Sequence, residues 1–518
     1  MAEQRATDGR GSPERTAPAL LQASREPDLA SPGRRRRLPG RSRIAPSGAI
    51  FVVLVALSTA AAAVVAFGDL DRQTVGLLVI ALTVSLLMCG VHVAPALALP
   101  GLLGIWNLAG PKGVASLLEE IPHSSVASWS LSVIPMFILM GLVLQQTGIT
   151  AVLFDAARQW IGRVPGGLAV ATVVSGAGMS AGSGSTLGVT FALGRIGIPE
   201  MIKARYSPRL ATGSVAMAGT LKLLIPPSIT MVIYAGIAQT PVGPQLLAGV
   251  VPGVILAVLF TVVIMIWAKV RPVDAPAVDM SGYTTRSRLR AAVRTWPLVL
   301  LAVIIIGGMY SGVATATEAG ALAAFTAIVL GAWSIRRDGP RQLLLRLGTA
   351  LGHTVAAVAA IMLLLVGVHI MTRVAALSGL AQELTGFVSD LGLSRVGLLL
   401  CLVVVFVVLG MFMDELAMML LTVPILIPVL NQLDIDLLWF GVFMGLMCEI
   451  GMVAPPVGLL SFIVHGIAQD REVNLGVRIS LGDVFRGVMW FVFVAIVFVV
   501  VLIAVPQIAL WLPQASMG

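Results

Sequence analysis

The sequence predicts an all-α polytopic membrane protein built from two inverted repeats, and three observations lead there. Hydrophobic residues make up 58% of the chain and charged residues 11%, with a mean hydropathy of +0.97, and apolar stretches long enough to cross a bilayer recur throughout. The basic residues collect between those stretches, as orientation signals do. Two apolar runs, GTLKLLIPPS (219–228) and EIGMVAPPV (449–457), are each broken by a proline pair, Pro226-Pro227 and Pro455-Pro456.

A Pro-Pro step removes two backbone donors and drives the preceding residue out of helical geometry. In lipid the carbonyls so released must find protein, water or an ion. Two such breaks at matching places in two halves point to a transporter's binding site. A shift of 229 residues carries Pro226-Pro227 onto Pro455-Pro456, Pro199 onto Pro428, and Ser183-Gly-Ser-Thr186 onto Phe412-Met-Asp-Glu415. Tyr234 to Ala238 then meets Val464 to Ala468 after a slip of one residue.

Along the chain, residues 1–46 are rich in Arg, Pro, Ser and Gly and read as a disordered basic cytoplasmic tail, with Arg34 to Arg37 as a topogenic cluster. An extra N-terminal helix (47–73) carries the first span, 50–67. Scaffold and interface helices (74–165) follow: spans 74–91 and 93–109, a polar loop with Glu119 and Glu120, a span over 131–148, and an amphipathic interfacial segment over 152–161. Residues 166–199 begin and end on the basic side, so they form a re-entrant hairpin with its tip at Ser183 to Thr186 rather than one crossing. The first broken helix covers 211–238 and completes transport half 1 (166–240). Scaffold helices occupy 241–394, with spans at 246–268, 297–312, 319–335 and 350–372. Transport half 2 (395–468) repeats the hairpin over 396–428 and the broken helix over 437–467. The final loop and span, 487–511, lie in 469–518. This makes eleven spans and two hairpins. Of the 34 Lys and Arg residues, ten lie in the tail, nineteen in loops assigned to the inside and four in loops assigned to the outside. That asymmetry orients the N-terminus to the cytoplasm and the C-terminus outward. The remaining one, Lys222, sits at membrane depth beside the first break.

The hairpin tips and breaks should converge near the midplane. In half 1, Ser183, Gly184, Ser185, Thr186, Pro226 and Ser228 supply hydroxyls or released carbonyls near Leu223 to Ile225, hard oxygens suited to a sodium ion. In half 2, Asp414, Glu449, Gly451 and Pro455 add carboxylates and a second set. Helix N-termini after the breaks offer N–H groups to an anion. Close packing is the other reading of the Ser/Gly run, and solvated helix ends are the other reading of Asp414 and Glu449. Glu318, behind Thr315, suits the start of a helix. His92, His369 and His465 lack metal-ligand spacing, and Cys89, Cys401 and Cys448 are too scattered for a transition-metal site or a disulfide framework. The net charge of +9 does not mark a nucleic-acid partner, because it lies in the tail and short loops. No HExxH, GxSxG or Walker motif is present, which argues against an enzyme or a direct use of ATP.

These residues resemble the large membrane subunit of tripartite ATP-independent periplasmic (TRAP) transporters. The similarity runs from about Thr74 to Trp511 and includes IPMFILMG (134–141), VPGG (164–167), SGST (183–186), IPEM (198–201), IPPS (225–228), GMFMD (410–414), PILIP (424–428), EIG (449–451) and PPVG (455–458). The resemblance implies an elevator-type, sodium-coupled secondary transporter of the bacterial inner membrane. It implies a periplasmic substrate-binding protein delivering an organic acid, such as a C4-dicarboxylate or sialic acid, and a small four-helix membrane subunit. Lys222 stands where the family usually has Gly, Ala316 where Pro is usual, Ala454 where Thr is usual and Leu460 where Asn is common. Lys222 could therefore replace the first sodium ion or shift the coupling to protons, or it could pair with an acid and leave that ion site intact. A stand-alone elevator carrier for divalent anions and a channel are the competing transport readings.

Overall fold

The structure is a computed structural model that describes residues 46–183, 185–336 and 339–517. Residues 1–45 of the expected tail and Gly184 lie outside the described residues, as does the Ser183 side chain, while Pro46 opens the first helix. The chain divides into two compact units, 1–51 and 52–518, and all side-chain packing below belongs to the second.

Every regular element among the described residues is helical: α1 (Pro46–Phe67), α2 (Arg72–Met88), α3 (Val93–Val126), α4 (Val133–Gln146), α5 (Val152–Ile161), α6 (Gly167–Ser183), α7 (Thr186–Lys203), α8 (Pro208–Thr220), α9 (Ile229–Ala238), α10 (Val242–Val270), α11 (Thr285–Arg294) and α12 (Trp296–Ala302). There follow α13 (Gly308–Tyr310), α14 (Ala316–Ile335), α15 (Pro340–Ser378), α16 (Leu380–Asp390), α17 (Arg395–Phe412), α18 (Glu415–Gln432), α19 (Leu437–Val453), α20 (Leu459–Ala468), α21 (Arg471–Asn474), α22 (Leu481–Ala504) and α23 (Gln507–Met517). Seven helices among the described residues are long and apolar enough to cross a membrane: α3, α10, α14, α15, α17, α18 and α22. An eighth candidate is a pair bent by 44° after α11. Expected spans 74–91 and 131–148 are helices of only 17 and 14 residues. Outward-facing rows such as Val254, Val258, Val262 and Ile266 on α10 are exposed and apolar, as a lipid-facing stripe is.

Two expectations change. The polar loop holding Glu119 and Glu120 is the second arm of α3, which breaks at Gly110 (φ 67°) and restarts at Pro111. A glycine accepts that positive φ, and a proline suits a helix start because its missing N–H would be unused there. The last span is likewise two helices. Val505 precedes Pro506 and leaves helical geometry, so α22 stops at Ala504 and α23 resumes at Gln507.

The internal repeat reappears in the element boundaries. Helices α6, α7, α8 and α9 begin at 167, 186, 208 and 229, and α17, α18, α19 and α20 begin at 395, 415, 437 and 459. The capping residues repeat too. Ser185 and Asp414 cap α7 and α18, and Ser207 and Asp436 cap α8 and α19, each accepting a backbone N–H of the first turn. Both proline pairs carry cis bonds.

Helices α8 and α19 are buried on every side, from Leu210 to Thr220 and from Trp439 to Val453. A helix buried on every side belongs to a core; α19 is apolar nearly all round, whereas α8 also buries Thr212, Ser214 and Thr220. Around α8 pack α6, α7 and α22, and around α19 pack α17, α18, α22, α9 and α10. A second group joins α3 to α2 and α15, and α4 to α14 and α15. Glycines set the tightest crossings. A Cβ on Gly213 would lie 2.5 Å from the Gly487 carbonyl carbon where α8 meets α22, and one on Gly451 would lie 2.6 Å from Gly410 Cα where α19 meets α17.

Candidate functional site

The first proline pair decides where the site lies. Helix α8 stops at Thr220, a 3₁₀ turn covers Leu221–Leu223, and α9 starts only at Ile229, capped by Ser228. Lys222 occupies that turn, so its side chain leaves a broken backbone rather than a continuous helix face. It is 3% exposed.

The ammonium meets Glu415. Lys222 Nζ donates to Glu415 Oε1 at 2.7 Å. Thr230 Oγ1 donates to the same oxygen at 3.2 Å, and Thr186 Oγ1 donates to Oε2 at 3.2 Å. Glu415 and Thr186 are the first residues of α18 and α7, and Thr230 is the second residue of α9. Three helix N-termini thus converge on one carboxylate, each presenting its positive end. The first repeat supplies the ammonium and both hydroxyls, and the second supplies the acid.

Beside this centre lies Glu449, in the penultimate turn of α19. It is 1% exposed, and neither carboxylate oxygen has a hydrogen-bond partner among the described residues. Its neighbour Cys448 touches the Glu415 carbonyl, Sγ to oxygen 3.6 Å. One ammonium and two carboxyl groups thus lie in one neighbourhood, and the Glu449 oxygens are its unpartnered acceptors.

The remaining candidates separate into those at the centre and those that hold the backbone. Thr186 and Lys222 are at the centre. Ser185 and Asp414 are helix caps, taking the Gly188 and Ala417 N–H groups at 3.1 and 2.7 Å. Ser228 Oγ donates to the Leu223 carbonyl at 2.8 Å and accepts from the Met231 N–H at 3.3 Å. The carbonyl released by the break is thus already satisfied once, with one lone pair to spare. The second break uses the same device: Ser461 Oγ donates to the Val453 carbonyl at 3.0 Å. Gly451, which the repeat shift matches to Lys222, is closed against Gly410. Pro226 and Pro227 are buried, Pro455 is half-buried and Pro456 exposed. Glu318 forms a capping box with Thr315. His369 faces the Leu365 carbonyl and His465 faces Gln469. Among the described residues no group of three His, Cys, Asp or Glu could hold a metal ion.

Two members of the centre, Glu415 and Thr230, are missing from the candidates read off the sequence. A signal for Glu415 was present. It is an acid inside an apolar stretch, and the repeat shift pairs it with Thr186. The side chain next to it, Asp414, carries the same charge one position earlier, and only the cap geometry tells the two apart.

A helical bundle with helices interrupted at matching points around a buried charged centre defines the class: a polytopic membrane transport protein. Solved structures share the fold. The Alcanivorax borkumensis YdaH transporter aligns with TM-score 0.57 and 16% identity over 77% of this chain and 89% of that one. Neisseria gonorrhoeae MtrF aligns with TM-score 0.55 and 10% identity over 87% and 97%. Residues 79–508 match the family described as tripartite ATP-independent periplasmic transporter, DctM component. The C4-dicarboxylate TRAP transporter large permease protein DctM of Pseudomonas aeruginosa is 34% identical over 423 residues, 81% of this chain and 94% of that protein. The sialic acid TRAP transporter large permease protein SiaM of Vibrio cholerae is 30% identical over 403 residues, 76% and 88% of the two chains. The chain belongs to the DctM family of TRAP transporter large permeases.

Proposed function

We propose that the protein is the membrane-crossing permease of a secondary-active importer for an organic acid. A periplasmic binding protein delivers the acid, and a small membrane subunit braces the scaffold. The observation that carries this reading is the buried Lys222–Glu415 centre, where both repeats of a TRAP permease meet at the breaks in their helices. Carriers with discontinuous helices place substrate and coupling ions at such a midplane junction. Relatives named for C4-dicarboxylate, sialic acid, ectoine and isethionate transport support a small organic solute, most of them acids.

Movement follows the elevator pattern in this reading. The pieces 166–240 and 395–468 slide as one body against the remaining spans, with the N-terminus cytoplasmic and the C-terminus periplasmic. Coupling is to sodium; Lys222 pairs with an acid, as one of its two readings expected, and in the other its ammonium stands in for one ion. In this transport reading a coupling sodium ion falls to the neighbourhood of Glu449, whose two unpartnered oxygens are hard ligands.

The test is uptake into proteoliposomes holding this chain, its small subunit and its binding protein. C4-dicarboxylates, sialic acid, ectoine and isethionate are offered under a sodium gradient and then under a proton gradient alone. Uptake needing both sodium and the binding protein is the expected result. Uptake without the binding protein would instead favour a stand-alone carrier. Lys222→Gly is expected to raise the sodium ions carried per substrate, and an unchanged stoichiometry would end the ion-replacement idea.

A further inference from the structure

The set of groups around Glu415 is built to receive a carboxylate. It holds an ammonium at 2.7 Å, two hydroxyls at 3.2 Å, and the N-terminal ends of α7, α9 and α18. Charge-assisted bonds of this kind are among the strongest a protein makes to an anion. The carboxylate that fills the set is the protein's own. An ion pair is an expensive way to join two helices in an apolar interior, because desolvating both charges offsets most of their attraction. A pair of apolar side chains would join α18 to the α8–α9 turn at no such cost.

We infer that Lys222, Thr186 and Thr230 form a carboxylate receptor, and that Glu415 is its occupant in this conformation, standing where a carboxylate of the transported acid is received. The inference rests on the transport reading above and adds the groups that take the acid. Two features of the geometry support it. Lys222 has three N–H donors, and Glu415 uses one, so the ammonium can meet an incoming carboxylate before it releases the resident one. Both hydroxyls come from residues at the starts of helices beside a hairpin tip and a break, where the chain is not locked into a continuous helix. Charge then balances through the exchange. The incoming carboxylate takes the ammonium, and the released Glu415 is neutralised by the coupling cation. Substrate and cation therefore enter together, because either alone would leave a buried charge unmatched.

The experiment empties the receptor and offers it a free acid. Full-length Glu415→Ala protein in detergent is heated with about 100 mM formate, or with the same concentration of chloride, choline being the cation in both; site occupancy is read as a rise in the unfolding midpoint. Formate is expected to restore at least half of the midpoint lost on substitution, and to do nothing for Glu415→Ala/Lys222→Met. Longer acids extend the test. A receptor open to substrate accepts succinate or hexanoate as well, whereas a cavity the size of the missing side chain accepts nothing beyond propionate. No difference between formate and chloride, equal rescue of the double variant, or rescue that stops at propionate would each overturn the inference. If Glu415→Ala does not survive extraction, Glu415→Ser takes its place, since it also vacates the position of the carboxylate while keeping a polar side chain at the helix start. The readout needs no transport, so it is separate from the uptake assay. Rescue without uptake of any acid would remove the transport reading alone, and uptake without rescue would remove the receptor alone.

Discussion

Thr186 and Glu415 occupy the same position of the two repeats, 229 residues apart, and they touch: the threonine hydroxyl donates to the glutamate carboxylate at 3.2 Å. Each opens the second helix of its hairpin. Equivalent residues meet only where the two halves face one another, so this bond marks the junction of the repeats. Lys222 breaks the symmetry there. Its own counterpart, Gly451, has no side chain and is packed against Gly410.

The ion pair at this junction should behave as a coupled unit. Lys222→Met leaves Glu415 without its counter-charge, and Glu415→Gln does the same to Lys222. Each single change is expected to destabilise the protein by about 3–5 kcal/mol. The double variant Lys222→Met/Glu415→Gln should be less destabilised than the sum of the two. Thermal unfolding of all four proteins in one detergent closes the cycle, and simple additivity would show that the two side chains do not interact.

Glycines at the helix crossings should tolerate no side chain. Gly213→Ala places a methyl group against the Gly487 backbone, and Gly451→Ala places one against Gly410. Backbone atoms cannot step aside as a flexible side chain can, so each substitution is expected to cost ~1–3 kcal/mol or more. Gly386→Ala and Gly466→Ala, which meet nothing within 4 Å, are the matched controls. Yield and melting temperature of the extracted proteins separate the two groups.

Ser228 and Ser461 hold the broken ends of α8 and α19 closed. Ser228→Ala would strip the Leu223 carbonyl of its partner, and Ser461→Ala would do so for Val453. An unsatisfied buried acceptor costs roughly 1–3 kcal/mol. Both variants should melt earlier than wild type, and Ser228→Ala the more so because it also loses the cap on Met231. Equal melting temperatures for wild type and both variants would mean that water replaces the hydroxyls.

Asp414 is expected to act through its cap. Asp414→Asn keeps an acceptor for the Ala417 N–H and should leave stability nearly unchanged, whereas Asp414→Ala should lose ~1 kcal/mol. If sodium-dependent uptake falls sharply in Asp414→Asn while the melting temperature holds, the carboxylate has a role in ion binding beyond the cap.

Much of the organisation was legible in the chain itself. Composition placed the protein in a membrane, because no soluble core absorbs so many apolar residues. The shift of 229 residues found the repeat, because prolines and caps mark helix ends wherever they stand, and the starts at 186 and 415 and at 208 and 437 keep that interval. Lys222 stood out as a cation beside a helix break. Pro111 opened a stretch read as a polar loop and Pro506 lay within what was read as a single span, and neither revealed the separate helix that begins beside it.

The sequence by itself determined which segments are apolar, where helices must break and which residues can cap them, for these follow from local backbone chemistry and from transfer out of water. Tertiary structure alone decided which acid the lysine meets. Asp414 and Glu415 are neighbours in sequence with the same charge, yet the first turns back to cap its own helix and the second reaches Lys222, 193 positions away. Only the packing of α18 against α9 and the broken end of α8 separates them. An ion pair depends on where two side chains end in space, and no local pattern records that.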